Sequence, residues 1–178
     1  MPFVTSVKRQ KETIMIVMGG DFLVRGVQEE RGMSDVEEIR RILREFMDAV
    51  CSKDVEKTLS FYADDAIEIW SGRTFKGKEE LRRWKTSFVQ SFREMKYEEM
   101  DIVVQGDKVA VEGTAEGILD DGRTVRFPLA LIGSVKDGKI QWLHNYYDRL
   151  LVAKQAAKGV IQTRIVNMIV ERMEKMIR

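Results

Sequence analysis

The sequence holds one cysteine and one histidine in 178 residues. Cys51 has no partner for an internal disulfide, so nothing in the chain asks for an oxidising compartment. A single Cys51 and a single His144 exclude the common Cys/His zinc sites, and neither a metal nor another cofactor is expected. An excess of one charge is also lacking. Thirty basic residues face twenty-nine acidic ones, a formal net charge of +1, whereas a general nucleic-acid binder carries a basic surplus. The apolar run Ile14 to Met18 is short and ends at Gly19, Gly20 and Asp21. A secretory signal needs a longer core and a small-residue cleavage site, and a membrane helix needs about 20 apolar residues. The expectation is a cytoplasmic protein with no membrane and no nucleic-acid partner. What is present is 44% apolar and 33% charged residues, enough for one domain with a true core.

Residues 1–32 lack the periodicity of the rest. Either Met33 is the native start and the preceding residues are an artefact of gene assignment, or they form a short ordered extension. From Ser34 a helical pattern begins, with Ser34-Asp35-Val36-Glu37 as a capping box and Val36, Ile39, Ile42, Leu43, Phe46, Met47 and Val50 on one face. Asp54 reads as the N-cap of a short helix carrying Val55, Leu59 and Tyr62. A brief strand from Ala66 to Trp70 and a loop from Ser71 to Gly77 follow. A third helix shows Leu81, Trp84, Phe88, Val89 and Phe92. Near Tyr97 the period changes to two. Gly106-Asp107, Asp121-Gly122 and Asp137-Gly138 punctuate four antiparallel strands at about 97–105, 108–119, 124–136 and 139–149. Beyond Leu150 the pattern is helical again, with a break at Gly159. Helices followed by a meander predict an α+β domain with helices packed on one sheet face.

Four stretches, in this order, carry a resemblance: Phe61-Tyr62-Ala63-Asp64-Asp65-Ala66, Phe75-Lys76-Gly77-Lys78-Glu79-Glu80-Leu81, Asp137-Gly138-Lys139-Ile140 and Asn145-Tyr146-Tyr147-Asp148. Together they resemble the SnoaL-like branch of the nuclear-transport-factor-2-like superfamily. The resemblance implies a cone-shaped curved antiparallel sheet wrapped around the N-terminal helices, with a pocket inside the cone. It divides the chain into an extension (1–32), a SnoaL-like domain (33–152) and an added amphipathic helix (153–178). The superfamily includes isomerases, cyclases, hydrolases and binding modules without chemistry, so fold does not give function.

Its known catalytic groups are not retained at the matching positions. The ketosteroid isomerase base falls near Ile69 and Trp70, with Glu68 the one carboxylate nearby, and its oxyanion tyrosine falls on Phe46. An epoxide-hydrolase carboxylate falls on Asn145, which has no useful basicity. The hydrolase Arg-x-Asp pair falls near Thr114 and Glu116. Strand alternation separates Leu143, Asn145 and Tyr147 from Trp142, His144 and Tyr146, and the resemblance turns the first set inward. Glu112, Thr114 and Glu116 share one face of their strand. If that face lines the cone, Glu116 opposite Asn145 forms a polar focus, its pKa raised by desolvation; otherwise these glutamates face water. The catalytic candidates are therefore Glu116 as proton carrier, with Asn145 and Tyr147 orienting. The ligand-binding candidates are Tyr62, Trp70, Trp84, Phe88, Thr114 and Leu143. The expected function is binding of a small, mostly apolar molecule, with cofactor-free acid/base chemistry if any. The alternative is a non-catalytic dimeric binding or assembly module. Either way the expected partner is a second copy, met through the sheet face and the C-terminal helix, whose Ile161, Ile165, Met168, Ile169, Met173, Met176 and Ile177 form an apolar stripe.

Overall fold

The computed structural model describes residues 33–177, and the two readings of residues 1–32 lie outside it. Helix α1 (Met33–Cys51) buries Ile39, Ile42, Leu43, Phe46, Met47 and Val50, the stripe that its 3.6-residue period marks. It already includes Met33, so Ser34 stands in the first turn rather than before it. Asp54 does cap α2 (Val55–Ser60), accepting from the Lys57 amide at 2.9 Å. Strand β1 (Tyr62–Trp70) starts at Tyr62, four residues earlier than the sequence pattern suggests. The expected loop contains a further strand, β2 (Arg73–Lys76), which returns along β1 through a Ser71-Gly72 turn with φ of 52° and 76°. Helix α3 (Gly77–Gln90) leads into the meander β3 (Glu94–Gln105), β4 (Lys108–Ile118), β5 (Thr124–Lys136) and β6 (Lys139–Tyr147). Two helices, α4 (Arg149–Ala156) and α5 (Gly159–Ile177), end the chain, parted at Gly159 with φ 72°.

One curved, open sheet results, in the order β2-β1-β6-β5-β4-β3. All neighbours are antiparallel except β1 and β6. The inner face carries Val109, Val111 and Ala115 from β4, Val125, Phe127, Leu129 and Leu131 from β5, and Ile140 and Leu143 from β6, all buried against the helices. The outer face carries the opposite parity. In register across five strands it presents Ile69, His144, Ile132, Ala110 and Val103. Ile132 and Val103 remain 43% and 58% exposed.

Strand β6 stops at Tyr147, opposite Leu129, leaving the first residues of β5 without a strand on that side. Helix α4 fills the gap. The Arg126 amide donates to Gln155 Oε1 and Gln155 Nε2 donates back to the Arg126 carbonyl, both at 2.8 Å, as a neighbouring strand would do. Pro128, facing the same gap by alternation, has no N–H to leave unpaired. The N-cap Asp148 starts α4 by accepting from Leu150 and Leu151 amides at 2.8 and 3.0 Å. Replacing Gln155 by Ala is expected to cost about 1–2 kcal/mol in urea unfolding and to raise hydrogen exchange at the Arg126 amide. An unchanged exchange rate there would refute the strand-mimic role.

Candidate functional site

Among the described residues the interior holds one carboxylate, and its surroundings define the site. Glu68 lies in β1, between Phe75 of β2 and Leu143 of β6, with 0% of its surface exposed. A lone charge in that position would cost several kcal/mol. Lys85, on the buried stripe of α3 between Leu81 and Val89, reaches it with Nζ 2.9 Å from Oε1 and 2.8 Å from Oε2. The Tyr62 hydroxyl donates to Oε2 at 2.7 Å. Asn145 Nδ2 donates to Oε1 and to the Ile69 carbonyl, each at 3.1 Å. The Lys85 ammonium also sits 5.5 and 5.7 Å from the ring centroids of Phe46 and Tyr62, within reach of a cation–π attraction. Burial and then the Glu68 charge push the Tyr62 phenol well above its ordinary pKa, so it stays a donor. A carboxylate whose two oxygens are both held by an ammonium and by further donors is a fixed acceptor. It has no free lone pair with which to take a proton from a substrate.

Above this floor, an aromatic crevice opens between α3 and the meander. Trp70, Phe88, Phe92, Tyr97 and Phe127 form its walls, with Ala115 and Gly117 of β4 beneath. Trp70 packs on Phe88 at 4.9 Å, on Tyr147 at 5.2 Å and on Trp84 at 5.6 Å between ring centroids. Phe127 meets Tyr147 at 5.2 Å. The Tyr147 hydroxyl contacts Ser71 Oγ in the β1–β2 turn. The cavity left among these rings is about 10 Å³, room for a single water at most. A larger groove of about 270 Å³ lies at the elbow of α4 and α5, among Ala153, Ala156, Ala157, Ile165 and Val166. Among the described residues Gln162 is the only polar side chain lining it, so the crevice is the better-equipped site despite its small volume.

The sequence candidates divide among three places. Trp70 and Phe88 line the crevice, and Tyr147 stands at its edge. Trp84 lies behind them, stacked on Phe75 at 4.8 Å. Tyr62, Leu143 and Asn145 belong to the buried floor. Thr114 does not join them, and Glu116, whose position borders the crevice between Ala115 and Gly117, does not turn its side chain into it. Alternation on β4 turns Val111, Gly113, Ala115 and Gly117 inward, so the side chains of Glu116 and Thr114 point to the outer face. There Lys96 and Arg126 bind Glu116 at 3.1 and 3.2 Å, and both also bind Glu98. These cations lower the Glu116 pKa, the opposite of what the apolar-pocket expectation requires. Thr114 Oγ1 faces Glu99 at 3.4 Å. His144 is on the outer face too, bonded to the Tyr146 hydroxyl at 2.8 Å.

Sequence reasoning passed over Glu68 and Lys85 as a pair. Each left a signal: Glu68 shares strand parity with Ala66 and Trp70, and Lys85 lies four residues from both Leu81 and Val89. A charge of each sign on a buried stripe points to a partner. Phe92, Tyr97 and Phe127 left no comparable sign, since aromatic residues on buried faces are ordinary core.

Lys85→Met should destabilise the protein by about 3–5 kcal/mol by stranding Glu68, whereas adding Glu68→Leu to it should recover a large part of that loss. Urea denaturation of both variants decides the matter. A loss below about 1 kcal/mol in the single variant would show that the pair does not anchor the interior.

Comparison with known proteins agrees with this architecture. No curated protein matches the chain. Among solved structures, an NTF2-like protein from Burkholderia xenovorans LB400 is 25% identical, covering 67% of this chain and 95% of its own, with a TM-score of 0.56. A protein from Catenulispora acidiphila with a ketosteroid isomerase-like fold, in complex with trimethylamine, is 19% identical over 66% of this chain and 93% of its own, with a TM-score of 0.60. A candidate polyketide cyclase from Xanthomonas campestris is 19% identical over 68% and 99%, with a TM-score of 0.62. The family model of the SnoaL-like domain matches residues 43–142, which run from the second half of α1 to the first four residues of β6 and hold Glu68, Lys85 and the crevice walls. With its fold, its motifs and that match in accord, this chain belongs to the SnoaL-like domain family.

Proposed function

We propose that the chain binds a small, neutral, mostly apolar molecule in the crevice between α3 and the meander, without proton transfer by its own carboxylates. The observation that carries this reading is the separation of charge from the crevice walls. Glu68 and Lys85 cancel one another in the floor, and Glu116 spends its charge on Lys96 and Arg126 outside. What remains for a ligand is aromatic surface, which favours apolar or flat molecules, with the Tyr147–Ser71 hydroxyl pair as the polar handle at the edge. Residues 33–152 are the functional unit in this reading, and the segment from 153 on, which completes α4 and carries α5, is an addition to it. The reading sets the protein in the cytoplasm, where a lone thiol such as Cys51 needs no disulfide partner.

N-phenyl-1-naphthylamine, a neutral fluorescent probe, tests it. The probe should brighten on binding and quench Trp70, and Phe127→Lys should weaken its uptake at least about tenfold by setting a charge in the wall. Glu116→Gln should leave binding and stability unchanged to within about 0.5 kcal/mol. Loss of binding in Glu116→Gln would restore that glutamate to the site and contradict the reading.

A second copy of the chain is the partner we propose for the outer sheet face. The support is the in-register row Ile69, His144, Ile132, Ala110 and Val103, flanked by Tyr146 at 47% exposure. An apolar band of that length on an otherwise charged surface invites coverage. Helix α5 adds Ile161, Ile165, Met168, Ile169 and Met173, all at least 42% exposed. Light scattering after size exclusion should find a dimer that Ile132→Lys converts to monomer. A wild-type monomer at micromolar concentration would refute this partner.

A further inference from the structure

Phe92 occupies the place in the crevice where a ligand would lie. Between the end of α3 at Gln90 and the start of β3 at Glu94, the chain lays the Phe92 ring directly on Gly117. A Cβ at Gly117 would stand 2.4 Å from Phe92 Cδ1 and 2.6 Å from Cε1, so the absence of a side chain there makes the seat. Ala115, the preceding inward residue of β4, widens it into a shallow floor beneath Phe88 and Trp70. Phe88 meets the Phe92 ring edge-on at 5.5 Å and 67°. The seat is thus flat and about one ring thick, and no charged side chain points into it from β4.

The backbone and the ring of Phe92 are held in different ways. The Lys53 ammonium donates to the Phe92 carbonyl, and the Arg93 amide donates to the Ile118 carbonyl at 2.6 Å. These two bonds pin the main chain to α1's end and to β4. The ring has no polar tie, and Phe92 is only half-buried, so rotation about its own side-chain torsions can carry it toward water with the backbone unmoved. With the ring seated, the crevice retains only about 10 Å³, too little for any organic molecule.

We propose that Phe92 is a built-in surrogate ligand: the crevice takes a flat, uncharged ring, which displaces the Phe92 side chain and uses its seat on Gly117. This deepens the binding reading and rests on it, by naming both the chemical class of the ligand and the group that must leave. Returning a phenylalanine side chain toward water opposes ligand entry by a factor of about ten or more.

The test uses the full chain with 4-fluorophenylalanine at position 92 and naphthalene as the probe. Naphthalene should shift the fluorine resonance and expose it to broadening by a soluble nitroxide, and Phe92→Ala should bind naphthalene about tenfold more tightly than wild type. If naphthalene binds wild type and the variant equally while the fluorine stays shielded, the surrogate role is overturned and the binding reading stands. If neither binds naphthalene, the crevice is not a ligand site and both fall. The fluorine measurement is made on an untruncated side chain, so it remains decisive even if Phe92→Ala fails to fold.

Discussion

The interior of this protein is organised around the requirement that one buried carboxylate be fully satisfied. Glu68 stands on β1, one strand in from the edge of the sheet, with none of its surface in water. Its bonds reach α3 through Lys85, β6 through Asn145 and the start of β1 through Tyr62. Desolvation makes each bond worth keeping, because removing any donor leaves charge in a medium of low polarity. The consequence is positional. Lys85 must face the floor, so Trp84 and Phe88, one residue before it and three after, face Trp70 on the adjacent side of α3. The crevice is therefore set in place by a charge pair that takes no part in its surface.

The same partition runs through the whole domain. Charges inside are paired and neutral in sum, and charges outside form a cross-strand group of Lys96, Glu98, Glu116 and Arg126. Between them lies a wall of aromatic rings over small residues of β4. Gly117 lets Phe92 approach the backbone, just as Gly113 makes room for Met100, whose sulfur would lie 2.3 Å from a Cβ there. A strand that reads Gly, Ala, Gly on its inner face trades intrinsic strand stability for space, and in this fold that space is filled by rings carried on other elements.

The architecture was largely legible in the sequence. The stripe of α1 and the change of period near Tyr97 mark helix and meander, and the turns at Gly106, Gly122 and Gly138 all adopt the positive φ that glycine permits. Strand β2 was not legible. Three of its four residues are exposed and only Phe75 is partly buried, so no alternation marks it. The spacing of Tyr62 from Leu59 fits a helix and places it on α2's face, yet it is the first residue of β1. The site was harder to read for a specific reason. Alternation divides β4 into two faces but does not say which is inside. Likeness to a hydrolase motif selected Glu112, Thr114 and Glu116, while the small set Gly113, Ala115 and Gly117 is the one the helices cover. On β6 the set Leu143 and Asn145 is the buried one.

The central claim is that a neutral molecule occupies the crevice of the native protein. Native mass spectrometry of chain purified gently from its own host, followed by denaturation to release what is bound, tests it most directly. The account predicts a non-covalent adduct of one uncharged, ring-containing small molecule per chain. A charged ligand, a covalent adduct or a chain that emerges empty would contradict it.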